Sequence, residues 1–102
     1  MAKDWDTSQL VNQQVTESIF GTSAAVTTSI PPSSSYLVTV TIAAAAAGDP
    51  VAVSSDKDLG ADAGVYARSV AGAVEIRVRN FSTTVSLTLT SVVFNATVIK
   101  EI

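Results

Sequence analysis

Chemistry in this chain would fall to carboxylates, lysines and arginines, because the sequence holds neither histidine nor cysteine. Without histidine, proton transfer near neutrality would need a carboxylate or lysine shifted far from its ordinary range. Neither a Gly-x-Ser-x-Gly turn nor a paired-carboxylate motif stands out to supply the rest of a catalytic apparatus. We therefore expect a protein that is not an enzyme, with no catalytic residue, no cofactor and no metal. The missing cysteines also exclude a disulfide framework and thiolate metal sites, which leaves packing, including packing against other subunits, to supply stability.

Three groups of side chains still need a reading. Asp56, Asp58 and Asp62 are oxygen donors, but a calcium ion takes about six to eight ligands and their spacing is not that of an EF-hand loop. With Lys57 among the acids and Gly60 and Gly64 beside them, a solvated loop is the expected state. Glu75, Arg77 and Arg79 alternate with Val74, Ile76 and Val78, so the charges share the wet face of a strand. On a monomer such exposed charges contribute little. In a symmetric assembly the arginines can meet a neighbour's carboxylates, which makes these three the candidate subunit contacts. Trp5, Leu10, Val11, Val15, Ile19 and Phe20, interleaved with Gln9, Asn12, Gln13, Gln14 and Glu17, are the candidate partner-binding arm, Trp and Phe being common interface anchors. The competing reading folds the same residues back as an edge strand. Asn80-Phe81-Ser82 and Asn95-Ala96-Thr97 match the glycosylation sequon, a short pattern with many chance occurrences.

The elements that must position these groups follow from composition and period. A chain of 102 residues, 47% hydrophobic and 15% charged, is sized for one domain with one modest core. Its abundant Val and Thr favour strands, since β-branched side chains lose little on a pleated surface. Residues 1–20 form an arm or edge segment and 21–102 the β domain. Within the arm, Val11, Val15 and Ile19 make a helical stripe with Thr7 as N-cap, whereas residues 15–20 also alternate as a strand; an extended or strand-like second half is favoured.

From residue 24 the period is close to two. Ala24 to Ile30 reads as a strand stopped by Pro31-Pro32, and Tyr36 to Ala43 as a half-buried strand with Val38, Val40 and Ile42 inward. The alanines at 43–47 are too few to nucleate a helix and read as a tight link closed by Gly48-Asp49-Pro50. Val51 and Val53 open the next strand, 54–64 is a polar loop, and Val65 to Val70 resumes. The turn Ala71-Gly72-Ala73 leads into Val74, Ile76 and Val78, the clearest hairpin in the chain. Beyond it the apolar set is odd-numbered at Val85, Leu87 and Leu89 and even-numbered at Val92, Phe94, Ala96 and Val98. That change of phase predicts a bulge or break near Thr90 and Ser91. The fold class expected is all-β, an antiparallel β-sandwich, jelly-roll-like, with an N-terminal arm.

A formal charge of −3 with six basic residues is too little cationic charge for nucleic acid. The longest apolar run, Ile42 to Ala47, is far short of the roughly 18 residues that span a membrane, and the acids near the start do not suit a signal peptide. We expect a soluble, unexported chain with neither nucleic acid nor membrane as partner.

The order of segments carries a resemblance. A Val-Thr-Val strand from Tyr36 is followed by a small-residue link and Gly48-Asp49-Pro50-Val51-Ala52-Val53. Val65-Tyr66-Ala67-Arg68-Ser69-Val70 comes next, then Ala71 to Asn80 and a last strand ending Thr97-Val98-Ile99-Lys100. This order resembles a β-sandwich module of bacteriophage fibre and head proteins, also found as small free-standing virion subunits, over about residues 24 to 100. In that pattern Gly48 permits a positive φ, Pro50 fixes the start of a strand and Asn80 tolerates a left-handed turn. The resemblance implies a homotrimer. A free-standing module with a short arm is most like a capsid decoration, or cement, protein on the virion exterior, bound to the major capsid protein. The alternatives it leaves are a carbohydrate-binding fibre tip that recognises the host surface, and a tail or baseplate subunit.

Overall fold

A computed structural model describes residues 16–101, which form eight strands and no helix. In chain order the strands are β1 (Thr16–Thr22), β2 (Val26–Ile30), β3 (Ser35–Thr41), β4 (Val51–Ser55), β5 (Ala63–Val70), β6 (Ala73–Asn80), β7 (Leu87–Val92) and β8 (Phe94–Glu101). Every pairing is antiparallel. One three-stranded sheet has the order β1-β8-β4, another has β3-β6-β5, and β2 pairs with β7 in a two-stranded ribbon. β1 comes close to β3 and β4 to β5, so the two larger sheets enclose a common core. The chain is therefore an antiparallel β-sandwich, as the period of two requires.

The core follows the alternation residue by residue. Val38, Val40 and Ile42 from β3 and its end, Val74, Ile76 and Val78 from β6, and Phe94, Ala96 and Val98 from β8 are buried together with Ile30, Leu89 and Val92. The link after β3 is a pair of turns, with the amide of Ala45 donating to the oxygen of Ile42 and that of Asp49 to the oxygen of Ala46, and the Gly72 amide ties the link to the β5–β6 turn through the oxygen of Ala45. β5 and β6 are joined by the two residues Ala71 and Gly72, with φ of 76° at Gly72, and this fixes the register Val70↔Ala73. Gly21 lies in β1 where a Cβ would come 2.8 Å from Ile42 Cγ1 and 2.9 Å from Val40 Cγ1; the missing side chain lets β1 settle against β3.

The expected change of phase is a bulge. Val26 pairs with Val92 but Thr28 pairs with Leu89, so Thr90 and Ser91 together oppose Thr27, and Ser91 has φ of 49°. Side chains take up the loosened backbone groups. Thr27 Oγ1 accepts from the Ser91 amide at 3.0 Å, and Lys57 Nζ donates to the oxygens of Thr90 and Ser91 at 2.7 and 3.1 Å. One step on, Asp56 Oδ1 accepts from the Val93 amide at 2.9 Å and Ser23 Oγ from the Phe94 amide at 2.9 Å.

Three expectations need correction. Val85 is 65% exposed rather than inward, because it precedes β7, with its amide donating to Ser82 Oγ and its oxygen accepting from Asn80 Nδ2. Asn80 is not a left-handed turn residue: the non-glycine positive φ values among the described residues are at Ser33 and Ser91. Asn80 is the last residue of β6, 1% exposed, and its Nδ2 donates to the oxygens of Ile30, Pro31 and Val85 while Oδ1 accepts from the Ser82 amide. Ala24 and Ala25 lie outside the strand expected from Ala24, in the short connection between β1 and β2. β1 is the edge strand of its sheet and pairs with β8 from Thr16↔Glu101 to Thr22↔Asn95.

Asp49 closes the link before β4. Its Oδ2 accepts from Lys100 Nζ at 2.8 Å and from the Ala46 amide at 3.0 Å, and its backbone oxygen accepts from Ser69 Oγ at 2.6 Å. The Lys100 hydrogen bond, then the Ala46 amide, hold its carboxyl below the ordinary value of 3.8.

Two outcomes follow. Asn80→Ala leaves buried carbonyls and an amide without partners and should cost about 2–3 kcal/mol in urea unfolding, with a loss under about 0.5 kcal/mol counting against the staple. Asp49 is lowered in the folded state, so its contribution is present above the unfolded value and is lost as pH falls through the folded one. Melting followed below about pH 4 should therefore fall less steeply for Asp49→Asn than for the unchanged chain; equal slopes would show that Asp49 is not linked to folding.

Candidate functional site

The outward face of β3-β6-β5 gathers Arg68, Glu75, Arg77 and Arg79. Because Val38, Val40, Val74, Ile76 and Val78 turn inward, the residues between them are forced outward. The register sets them in rows: Ser35, Arg79 and Gly64; Leu37, Arg77 and Tyr66; Thr39, Glu75 and Arg68. All three arginines of the sequence are on this face, against the single acid Glu75.

Each arginine is held differently. Arg68 reaches Glu75 across the pair, with Nε and Nη2 both 2.8 Å from Oε1, and remains 75% exposed on its side chain. Arg77 donates from Nη1 to Ser35 Oγ at 3.2 Å. The Arg79 guanidinium carbon lies 5.6 Å from the centroid of the Phe81 ring, and that ring meets Tyr66 edge-on with centroids 6.4 Å apart. A Cβ at Gly64 would run into Phe81, so the glycine makes the place for this ring. Leu37 is 43% exposed and Tyr66 54%, and with Ala67, Arg68, Glu75 and Arg77 they line a shallow depression of about 290 Å³.

Guanidinium groups stay protonated, so this surface can grip and orient carboxylates or other anions but has little capacity to move protons. Apolar rings beside planar donors are the composition of a contact surface. Glu75, Arg77 and Arg79, singled out from the sequence, do share this face. Arg68, Leu37 and Phe81 were missed. Arg68 was within reach, because the two-residue turn at Ala71-Gly72 places it opposite Glu75, and Phe81 continues the same hairpin two residues beyond Arg79, whereas Leu37 arrives through the long-range register of β3.

The other groups are dispersed. Asp58 Oδ1 accepts from the Gly60 amide at 2.9 Å, and Asp56 holds Val93, so two of the three loop acids brace backbone. Among the described residues no group of three or more His, Cys, Asp or Glu side chains is placed to hold a metal ion. Of the arm candidates, Ile19 packs towards the core and Phe20, 75% exposed, points outward from β1 on the row of Thr97. Trp5, Leu10, Val11 and Val15 lie outside the described residues.

Comparison with protein-family models, with curated proteins and with solved structures finds no match to this chain. Fold and site together define a small antiparallel β-sandwich with one cationic, aromatic outer face.

Because the face is solvated, alanine at Glu75, Arg77 or Arg79 should change unfolding free energy by less than about 1 kcal/mol. A larger loss would assign these residues to the structural frame.

Proposed function

We propose that this chain is a structural virion protein of a bacteriophage, a homotrimeric decoration protein that binds the major capsid protein on the outside of the assembled shell. It carries out no catalysis. The resemblance across residues 24 to 100 supports the virion setting. The observation that carries a contact role is the arginine face: on a chain of net charge −3, all the arginines stand outward beside Leu37, Tyr66 and Phe81, with only Glu75 as acidic company. A surface of that kind is spent by neither the core nor a reaction.

The mechanism is adhesive. Subunits that bind only the assembled lattice add their binding free energy to its stability, and many modest contacts repeated over a shell are enough. The segment before β1, with Trp5, Leu10, Val11 and Val15, is the part assigned to the shell.

A second reading has a specific support. Tyr66 stands at the rim of the depression beside Arg77 and Glu75, an arrangement in which a sugar face stacks on a ring flanked by polar groups. This favours a host-surface fibre tip.

Co-sedimentation with empty shells separates the two. The decoration reading expects saturable binding that is lost when residues 2–15 are deleted, with β1 retained and melting unchanged. Glycan-array binding without shell binding would replace it with the fibre-tip reading, and a monomer by light scattering at high concentration would remove the trimer.

A further inference from the structure

Arg77 is the cation of the β3-β6-β5 face that the chain itself does not answer. Arg68 is paired with Glu75, and Arg79 lies over the Phe81 ring, at the end of the face where the Phe81 amide donates to the oxygen of Asp62. Arg77 stands in the middle row between Leu37 and Tyr66, so the register puts no carboxylate directly opposite it on either side. Of the several N–H donors of its guanidinium, one reaches Ser35 Oγ at 3.2 Å, and no other is taken up among the described residues.

The aromatic wall beside Arg77 is held in place from behind. Phe81 does not line the depression, and it meets Tyr66 with ring planes 84° apart. The two rings fit because residue 64 is a glycine: a Cβ there would run into Phe81 and lie 3.2 Å from Tyr66 Cε2. Glycine inside a strand is destabilising, and neither ring belongs to the core. What the arrangement secures is the position of Tyr66 at the edge of the depression. On the next row both contacts of Arg68 fall on Glu75 Oε1, which leaves Oε2 as a hydrogen-bond acceptor.

We propose that the depression bounded by Leu37, Tyr66, Glu75 and Arg77 binds a carboxylated pyranose, one acidic sugar unit of a surface glycan. The inference rests on the sugar-stacking reading of Tyr66 given above and specifies the sugar. Arg77 takes the carboxylate, its planar donors matching the two oxygens, while the sugar ring stacks on Tyr66 beside Leu37 and a hydroxyl donates to Glu75 Oε2. A volume of about 290 Å³, just below the roughly 300–1,000 Å³ of drug-sized pockets, suits one ring. Phosphate alone offers no face to Tyr66 and brings a second negative charge for Glu75 to repel.

Titration of the full chain followed by amide chemical shifts tests this. The probes are methyl glucuronide and methyl N-acetylneuraminide, which carry the carboxylate at different ring positions, with neutral methyl glucoside and acetate beside them. At least one acidic sugar should shift the amides of Leu37, Tyr66 and Arg77 and bind about tenfold or more tighter than methyl glucoside, the difference one charge-assisted hydrogen bond makes. Which of the two responds shows where on the ring the carboxylate must sit. Arg77→Ala should remove the preference for the acidic sugar, and Tyr66→Ala the binding of every sugar, both with melting unchanged because both side chains are exposed. Methyl glucoside bound as tightly as the acidic sugars overturns the inference and leaves the sugar reading standing. No shift with any sugar removes both. Acetate giving the same shifts at equal affinity reduces the site to an exposed arginine and overturns the inference.

Discussion

The inward faces of β7 and β8 can reach the same core only because the chain changes phase between Leu89 and Val92. A strand that kept strict alternation past Leu89 would turn Val92, Phe94, Ala96 and Val98 to water and bring Ser91 and Asn95 inside. The bulge at Thr90 and Ser91 prevents this, and it loosens backbone groups that a regular ladder would have paired. Thr27, Lys57, Asp56 and Ser23 take up those groups. The ribbon β2-β7 and the sheet β1-β8-β4 are consecutive stretches of one long pair of strands, bent at this joint, so the joint sets where both stand. The loop after β4 is drawn into the same arrangement, which explains why a segment rich in aspartate has a defined path.

Asn80 is the counterpart on the other side of the core. A buried amide left unpaired would be costly, yet here each polar atom has a partner, and the three carbonyls it serves belong to the end of β2 and to the approach to β7. One side chain thereby joins β6 to both strands of the ribbon. The sequence conceals this. A short amide at the end of a strand, followed by Phe and Ser, reads locally as a turn residue, and what distinguishes a staple is the pair of carbonyls at Ile30 and Pro31, on a distant segment, joined to the nearby one at Val85. The phase change was legible for the opposite reason: it is a local property of the apolar numbering, visible without knowing any partner.

The same distinction separates what could be read of the candidate site. Glu75, Arg77 and Arg79 follow from alternation in one strand, and Arg68 follows from the two-residue turn that fixes the neighbouring strand. Phe81 lies on the same hairpin, two residues beyond Arg79, whereas Leu37 depends on a pairing between distant segments, which period and propensity do not encode. The paired reading of residues 16–20, strand or helix, was settled by β8, whose edge takes β1 in register while Gly21 allows it to approach β3. Alternation then separates Ile19 from Phe20 onto opposite faces of that strand, so the apolar residues near the start of the chain do not form a single surface there.

The composition of the core bears on what the outer faces are free to do. Phe94 is the largest of the fully buried side chains, and most of the others are Val or Ala, each removing less apolar area from water than Leu or Phe would. A domain of this size buries a smaller share of its surface than a larger one, so its margin of stability is narrow. The arginine face adds little to that margin in the single chain, because exposed pairs such as Arg68 with Glu75 are screened by water. Covered by a partner, the same guanidinium groups would lie in a medium that screens them less, provided carboxylates meet them. A face that contributes little alone gains only when a partner's carboxylates offset the cost of taking its guanidinium groups out of water, and that condition is the physical content of the proposed assembly.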